Sequence, residues 1–222
     1  MKINAEVVAH AALRLLDGTG LDGLTMRLVA DELGVRAPTL YWHVKNKREL
    51  LDAMAAIIFV EAMETLEAPR PGTPWQEWLA GSARRLRRTM LGHRDGARVL
   101  AGTYVMNPTL VRTLELTLRT LQDAGFPPRE AAHAYAVLYH YTVGYTIEEQ
   151  ARSGAEYGED DPYRPERIAQ EIDAERYPLA AQVLSGMFTP DADTGFEHGL
   201  SVILAGMRPQ ESRSGVTDAA SS

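Results

Sequence analysis

Apolar residues recur at helical spacing along most of the chain. Val7, Val8, Ala11, Ala12, Leu15 and Leu16 share one face of a helix over residues 5–17, with Asn4 as cap and Gly18 and Gly20 as stops. Leu24, Leu28, Val29 and Leu33 repeat the pattern behind Thr25, a capping residue type, and Gly34 then permits a chain reversal that a Cβ would resist. Pro38 suits the first turn of a short third helix over residues 39–44, where its missing N–H has no intrahelical partner. Asn46 and Glu49 make an N-x-x-E capping pattern ahead of Leu50, Leu51, Met54, Ala55, Ile57 and Ile58, which predicts a long fourth helix. Residues 68–74, with three prolines and one glycine, end it in a loop.

Further helices are predicted beyond that loop. Thr73-Pro74 is expected to cap one with Trp75, Trp78, Leu79, Leu86 and Met90 inward and Arg84, Arg85, Arg87 and Arg88 on a solvated face. Asn107-Pro108 opens the next, with Leu110, Leu114, Leu118 and Leu121 inward and Gly125 as stop, and Pro127-Pro128 opens one reaching about residue 152. Residues 166–175 and 179–187 read as weaker helices and 195–207 as the last firm one, while 153–165 and 208–222 are polar, aperiodic and expected to be mobile. There is no internal repeat of solenoid length. The expected fold is all-α: a three-helix head over residues 1–48, a helical body over 49–207 and a disordered tail over 208–222.

Composition narrows the chemistry. With 45% hydrophobic residues in 222, a sizeable core is affordable, and the absence of cysteine excludes disulfides, thiolate metal sites and a cysteine nucleophile. No apolar run is long enough to span a bilayer and no secretory leader is evident, so a cytoplasmic location is expected. The net charge of −7 is unevenly divided: residues 1–48 carry seven Lys or Arg against five acids, which leaves −9 for the remainder. Catalytic signatures are lacking: there is no Gly-rich phosphate loop, no H-E-x-x-H pattern and no nucleophile elbow. His140 and Glu148, two turns apart on one predicted helix, are separated by about 12 Å and cannot share an ion within one chain. His93, His133 and His198 read as surface or interface residues, and Tyr139 as a residue packed in a helical interface. No catalytic residue, metal site or cofactor is expected.

A helix, a tight turn and a second short helix form a unit whose second helix fits the major groove of B-DNA while the first crosses the backbone. Here the reading positions are Arg36, Ala37, Pro38, Thr39 and Tyr41, followed by Trp42, His43 and Lys47. Arg36 can fork onto a guanine, and Thr39 can offer a hydroxyl or a methyl. Tyr41, Lys47 and Arg27 are placed to hold phosphates, which sets register without reading bases, and Thr25 completes the expected DNA-binding set. A helical protein-interaction module and a helical enzyme acting on small molecules are the alternatives. The first leaves Thr39, Tyr41, His43 and Lys47 without a purpose, and no motif supports the second.

Leu24-Thr25-Met26-Arg27, Leu33-Gly34-Val35 and the run Pro38 to Lys47 closely resemble the DNA-binding head of the tetracycline-repressor family. The resemblance continues through Leu50-Leu51-Asp52-Ala53, Arg94-Asp95-Gly96-Ala97, Gly102-Thr103, His140-Tyr141-Thr142, Glu148-Glu149-Gln150 and His198-Gly199-Leu200, over residues 3–207. It implies a ligand-responsive repressor that binds double-stranded, palindromic operator DNA as a homodimer. Helices near 128–152 and 192–207 would pair with their mates in a four-helix bundle, and a small-molecule inducer would enter a pocket between bundle and head. By the same resemblance the pocket would draw on Met63, Ser82, Leu86, Leu100, Thr103, Thr117, His140 and Glu148, the last from the partner subunit. Met63, Ser82 and Leu100 stand where the family's magnesium-tetracycline binders have histidine, asparagine and a metal-ligating histidine, so an inducer other than that chelate is expected. Ala37 stands at the family's base-reading glutamine and Arg36 at an acidic position, so a different operator is expected.

Overall fold

The computed structural model describes residues 3–153, 164–187 and 191–209, and every regular element among them is helical. The chain folds as α1 (Ala5–Gly23), α2 (Met26–Glu32), α3 (Ala37–Tyr41), α4 (Lys47–Met63), α5 (Trp75–Leu91) and α6 (Gly96–Leu100). It continues as α7 (Pro108–Asp123), α8 (Pro128–Ser153), α9 (Pro165–Glu171), α10 (Pro178–Met187) and α11 (Ala192–Gly206). Of the two segments expected to be mobile, residues 154–163 and 210–222 lie outside the described residues.

The helix starts are set by side-chain caps. Asn4 Oδ1 accepts from Val7 N at 2.8 Å, Thr25 Oγ1 from Leu28 N at 3.2 Å, and Asn107 Oδ1 from Leu110 N at 2.8 Å. Asn46 Oδ1 accepts from Glu49 N at 2.9 Å, while the Glu49 carboxylate reaches back to Lys45 N at 2.9 Å, one residue before the cap. Thr73 makes no such bond: the α5 cap is Pro74, which has no side-chain acceptor. α1 runs past its expected stop, because Gly20, at φ 66°, kinks the helix without ending it. α3 is shorter than expected, closing at Tyr41 before a turn through Val44.

One apolar core joins head to body. Val8, Ala12, Leu16, Leu24, Val29, Leu40 and Val44 pack on Leu50 and Met54 at the start of α4, and the same cluster continues through Ile58 and Met63 to Leu86, Met90, Leu100 and Val143. A second cluster holds the far end of the body: Leu79 and Ala83 of α5, Leu121, Phe126, Ala134 and Leu138, closed by Phe196, Leu200 and Leu204 of α11. There α8 and α11 meet closely. Tyr141 Oη donates to Phe196 O at 2.8 Å and Tyr145 Oη to Ala192 O at 2.9 Å. Gly199 permits this approach, since a Cβ there would stand 2.3 Å from Tyr141 Oη.

Three expectations are corrected by the body. The α5 arginines are not one solvated face: Arg84 and Arg88 are exposed, but Arg87 is not and three of the four are held by partners. Arg87 is buried, bonded to Glu149 at 2.6 Å and Asp193 at 2.7 Å and stacked over Phe196, while Arg84 pairs with Glu197 at 2.6 Å and Arg85 bonds Thr65 at 2.6 Å. On α7 the buried face is Thr113, Thr117, Thr120 and Leu121, whereas Leu110, Leu114 and Leu118 are half-buried. α6 was not predicted: at five residues it is too short to show a period, and it starts from Asp95 in the left-handed region at φ 55°.

Candidate functional site

The head presents its polar residues on one exposed surface because apolar neighbours are pulled inward at helical spacing. Leu40 and Val44 are essentially fully buried, and Leu24 and Val29 likewise anchor the preceding helix. Truncating a leucine buried in this way costs about 2–5 kcal/mol, so the reading helix is firmly seated despite its length. Gly34, at φ 66°, supplies the left-handed turn between α2 and α3. Thr25, Arg27, Arg36, Pro38, Thr39, Tyr41, Trp42, His43 and Lys47 are all exposed, and Ala37 is half-buried against the head core. The ten proposed DNA-contacting residues thus lie on α2 and α3, on the turns beside them and on the first residue of α4. Trp42 is 86% exposed, the most open large apolar side chain among those described. The Arg36 side chain makes no ion pair or hydrogen bond among the described residues. Lys47 Nζ donates to Leu21 O at 3.2 Å, and Arg27 lies 4.0 Å from Asp31 in a solvated pair.

The body holds a cavity between α4, α5, α7 and α8. It is lined by Phe59, Met63, Leu79, Ser82, Ala83, Leu86, Thr113, Thr117, Tyr135, Leu138, Tyr139 and Thr142. Four of the proposed ligand residues, Met63, Ser82, Leu86 and Thr117, are gathered there. The other four are elsewhere. Leu100 is buried in the core beside the head, Thr103 donates to Leu100 O at 2.8 Å, and His140 and Glu148 are on the exposed side of α8. Tyr139 faces the cavity rather than a helical interface alone, and its ring stacks on Tyr135 at 6.3 Å. Burial pushes the Tyr135 phenol up to about 12 and raises Tyr139 as well, so both remain protonated donors at neutral pH. Sequence reasoning missed Phe59, Thr113, Tyr135 and Thr142; the four-residue spacing of Thr113 and Thr117 on one helix was the available signal.

The cavity contains no charged residue, and its open space is about 30 Å³, room for roughly two waters. Among the described residues no three His, Asp or Glu side chains gather as a metal-ligating group. The C-terminal end of α4, which carries Met63, is clamped by Arg112 of α7, whose guanidinium donates to Met63 O and Glu64 O at 2.6 Å and also to Leu66 O.

Between head and cavity stands a polar bracket built on α6. Asp95 accepts from Leu21 N at 2.8 Å, Arg94 N donates to Asp17 at 3.1 Å, and Arg98 reaches both oxygens of Asp22. The Arg98 guanidinium holds the Asp22 carboxyl below the usual carboxylate range. On the next turn Arg48 of α4 donates to Gly102 O, and Asp52 accepts from Tyr104 N at 2.9 Å. From the other side Gln150 of α8 accepts from Ala97 N at 3.0 Å and donates to His93 O at 2.8 Å. Short, directional contacts thus tie α4, α6 and α8 to one another and to the end of α1.

Comparison with known proteins agrees with this architecture. Residues 8–54 match the family model "Bacterial regulatory proteins, tetR family", and residues 68–210 match "Tetracyclin repressor-like, C-terminal domain". The tetracycline repressor protein class A from transposon 1721 of Escherichia coli is 39% identical over 206 residues, 93% of this chain and 91% of that protein. A possible TetR family transcriptional regulator from Streptomyces coelicolor A3(2) superimposes with a TM-score of 0.81 at 35% identity, covering 91% of this chain and 98% of the other. The Streptomyces coelicolor TetR family protein ActR, solved in complex with actinorhodin, superimposes at 0.79 with 30% identity over 92% of this chain and 94% of its own. The chain belongs to the tetR family of bacterial regulatory proteins, as a DNA-binding transcriptional regulator.

Proposed function

We propose that this regulator is a homodimeric repressor that grips a palindromic operator through two copies of α3 and lets go when an uncharged small molecule opens the cavity. In this reading residues 1–48 are the DNA head and 49–207 the sensing and pairing body. The observation that carries it is that one helix, α4, runs from the reading unit to the cavity wall, with the α6 bracket beside it.

The pairing surface is the outer side of α8 and α11, where Val137 and Val202 are half exposed in the single chain. Two heads fit successive major grooves only when their spacing is near one helical turn, about 34–36 Å. A ligand that needs more room than the closed cavity offers favours another arrangement of α4, α7 and α8, and it shifts the equilibrium by its differential affinity for the two states. Among the relatives named above are a tetracycline repressor and a protein solved in complex with actinorhodin. Met63, Ser82 and the buried Leu100 support an inducer other than a magnesium chelate.

The test is selection of bound duplexes from a random DNA pool by the purified protein, followed by sequencing. Enrichment of a two-fold-symmetric site is expected. No enrichment at modest salt overturns the repressor reading.

A further inference from the structure

The hydroxyls around the cavity are not equivalent. Among the described residues five threonines are buried: Thr113, Thr117, Thr120, Thr142 and Thr146. Four donate to the carbonyl one turn back in their own helix, Thr117 to Thr113 O, Thr120 to Leu116 O and Thr142 to Leu138 O at 2.8 Å, and Thr146 to Thr142 O at 2.7 Å. That local bond satisfies the hydroxyl and lets threonine sit in apolar surroundings. Thr113 departs from the pattern. It is 2% exposed, it lines the cavity, and its Oγ1 has no hydrogen-bond partner among the described residues. Buried polar groups are paired almost without exception, so a lone hydroxyl on a cavity wall calls for a partner from outside.

We propose that Thr113 is the hydrogen-bond donor of the inducer subsite, and that the inducer is an uncharged, flat aromatic molecule presenting a carbonyl-type oxygen to it. This rests on the reading of the cavity as the inducer site. The remaining lining sets the class. Ser82, Thr117 and Thr142 have committed their hydrogens to Trp78 O, Thr113 O and Leu138 O, so toward a ligand they can only accept, which suits hydroxyl groups on the same molecule. No lining side chain is charged, so an ion would be desolvated without a counter-charge. Tyr135 and Tyr139 form a stacked pair with an interplanar angle of 23°, and Phe59 adds a third ring, a lining that favours planar aromatic surfaces over flexible chains. Neither phenol makes a hydrogen bond among the described residues, so further donors are at hand.

The probes are quinizarin, which is flat and uncharged and carries carbonyls and hydroxyls, its sulfonate, and magnesium-tetracycline. Each is titrated calorimetrically into the full-length protein. Quinizarin is expected to bind, with the sulfonate and the chelate at least about tenfold weaker. Thr113→Val, which keeps the shape and removes the donor, is expected to weaken quinizarin about tenfold while raising the melting temperature of the unliganded protein, because the unpaired hydroxyl is gone. Thr113→Ser should bind like the parent, and Thr113→Ala repeats the test should the valine methyl strain the wall. Equal binding by the valine and alanine variants, equal binding of the sulfonate, a lowered melting temperature in the valine variant, or no quinizarin binding up to its solubility limit overturns the proposal. The outcomes separate the two readings. Operator selection without quinizarin binding removes only the subsite, whereas Thr113-dependent binding without operator selection removes only the repressor.

Discussion

Charge is used in opposite ways at the two ends of the molecule. In the head the ion pairs are long and wet: Arg14–Glu32 at 3.7 Å, Arg27–Asp31 at 4.0 Å and Lys45–Glu49 at 3.8 Å, each with at least one side chain more than half exposed. Such pairs contribute at most about 1 kcal/mol, so their cations can turn to a phosphate at little loss. In the body Arg87 is buried between Glu149 and Asp193 and over Phe196, and its guanidinium is held protonated chiefly by the Glu149 carboxylate. In the densest basic run of the sequence, the four arginines of residues 84–88, Arg84, Arg85 and Arg87 are already held by partners and only Arg88 is exposed without one among the described residues, whereas the sparser cations of the head are loosely held. Basic density alone does not locate a nucleic-acid surface; what the cations already touch does.

The sharpest way to break this contrast is to remove one cation from each end. Arg87→Ala strands Glu149, whose side chain is only 14% exposed, and is expected to cost about 3 kcal/mol. That lowers the melting temperature by about 6–12 °C in a domain of this size. Arg27→Ala should stay within about 0.5 kcal/mol of the parent while weakening DNA binding. Thermal melts followed by circular dichroism check both, and equal small losses would show that Arg87 is not the committed charge its geometry makes it.

The two ends also differed in how much the residues alone disclosed. The head is local: Asn4, Thr25, Gly34 and Asn46 punctuate helices within fifty residues, and alternation of buried Leu40 and Val44 with exposed Thr39, Tyr41 and His43 places the reading surface without tertiary knowledge. The cavity draws on α4, α5, α7 and α8, spanning Phe59 to Thr142, and no local period reports which helix faces converge. Thr117 and Thr142 are polar by residue type, yet back-bonding makes them tolerable in an apolar wall, and the period of α7 alone points Leu110, Leu114 and Leu118 inward; Thr117 enters the expected pocket only through the family resemblance. α6 was invisible because its role depends on Asp95 meeting Leu21, a contact between residues 74 apart.

A second test concerns the reading surface itself. Tyr41→Ala is expected to weaken binding to the selected operator about tenfold, or about 1.4 kcal/mol, and to leave dimerisation and the melting temperature unchanged. Lys47→Ala should weaken binding similarly across sequences and reduce the salt slope by about one ion. Gel-shift titrations at several salt concentrations separate the two. Parental affinity in the tyrosine variant would displace α3 from the groove.

A smaller effect is expected at the bracket. Asp95→Asn keeps a residue type that tolerates the left-handed region but weakens the acceptor for Leu21 N and the partner of Arg98. Hydrogen exchange at the Leu21 amide should accelerate about fivefold, corresponding to roughly 1 kcal/mol, with amides in the far cluster around Phe196 unaffected. Acceleration spread evenly over both clusters would mean that the bracket is not a separable link between head and body.

The smallest effect separates two arginines of one helix. Arg84 lies three residues before Arg87 and pairs with Glu197 at 2.6 Å, but both side chains are nearly half exposed. Arg84→Gln is expected to cost no more than about 0.5 kcal/mol, and less in high salt. Its pH dependence gives the sign. The Arg84 guanidinium holds Glu197 below its ordinary value near 4.5, so the pair contributes at neutral pH and the contribution fades as pH falls through the lowered folded-state value. Parent and variant should differ slightly above the ordinary glutamate range and converge in acid, as read from urea midpoints across pH. A loss as large as that of Arg87→Ala would show that exposure does not separate the committed charges of the body from the available ones, and the contrast between head and body would fall with it.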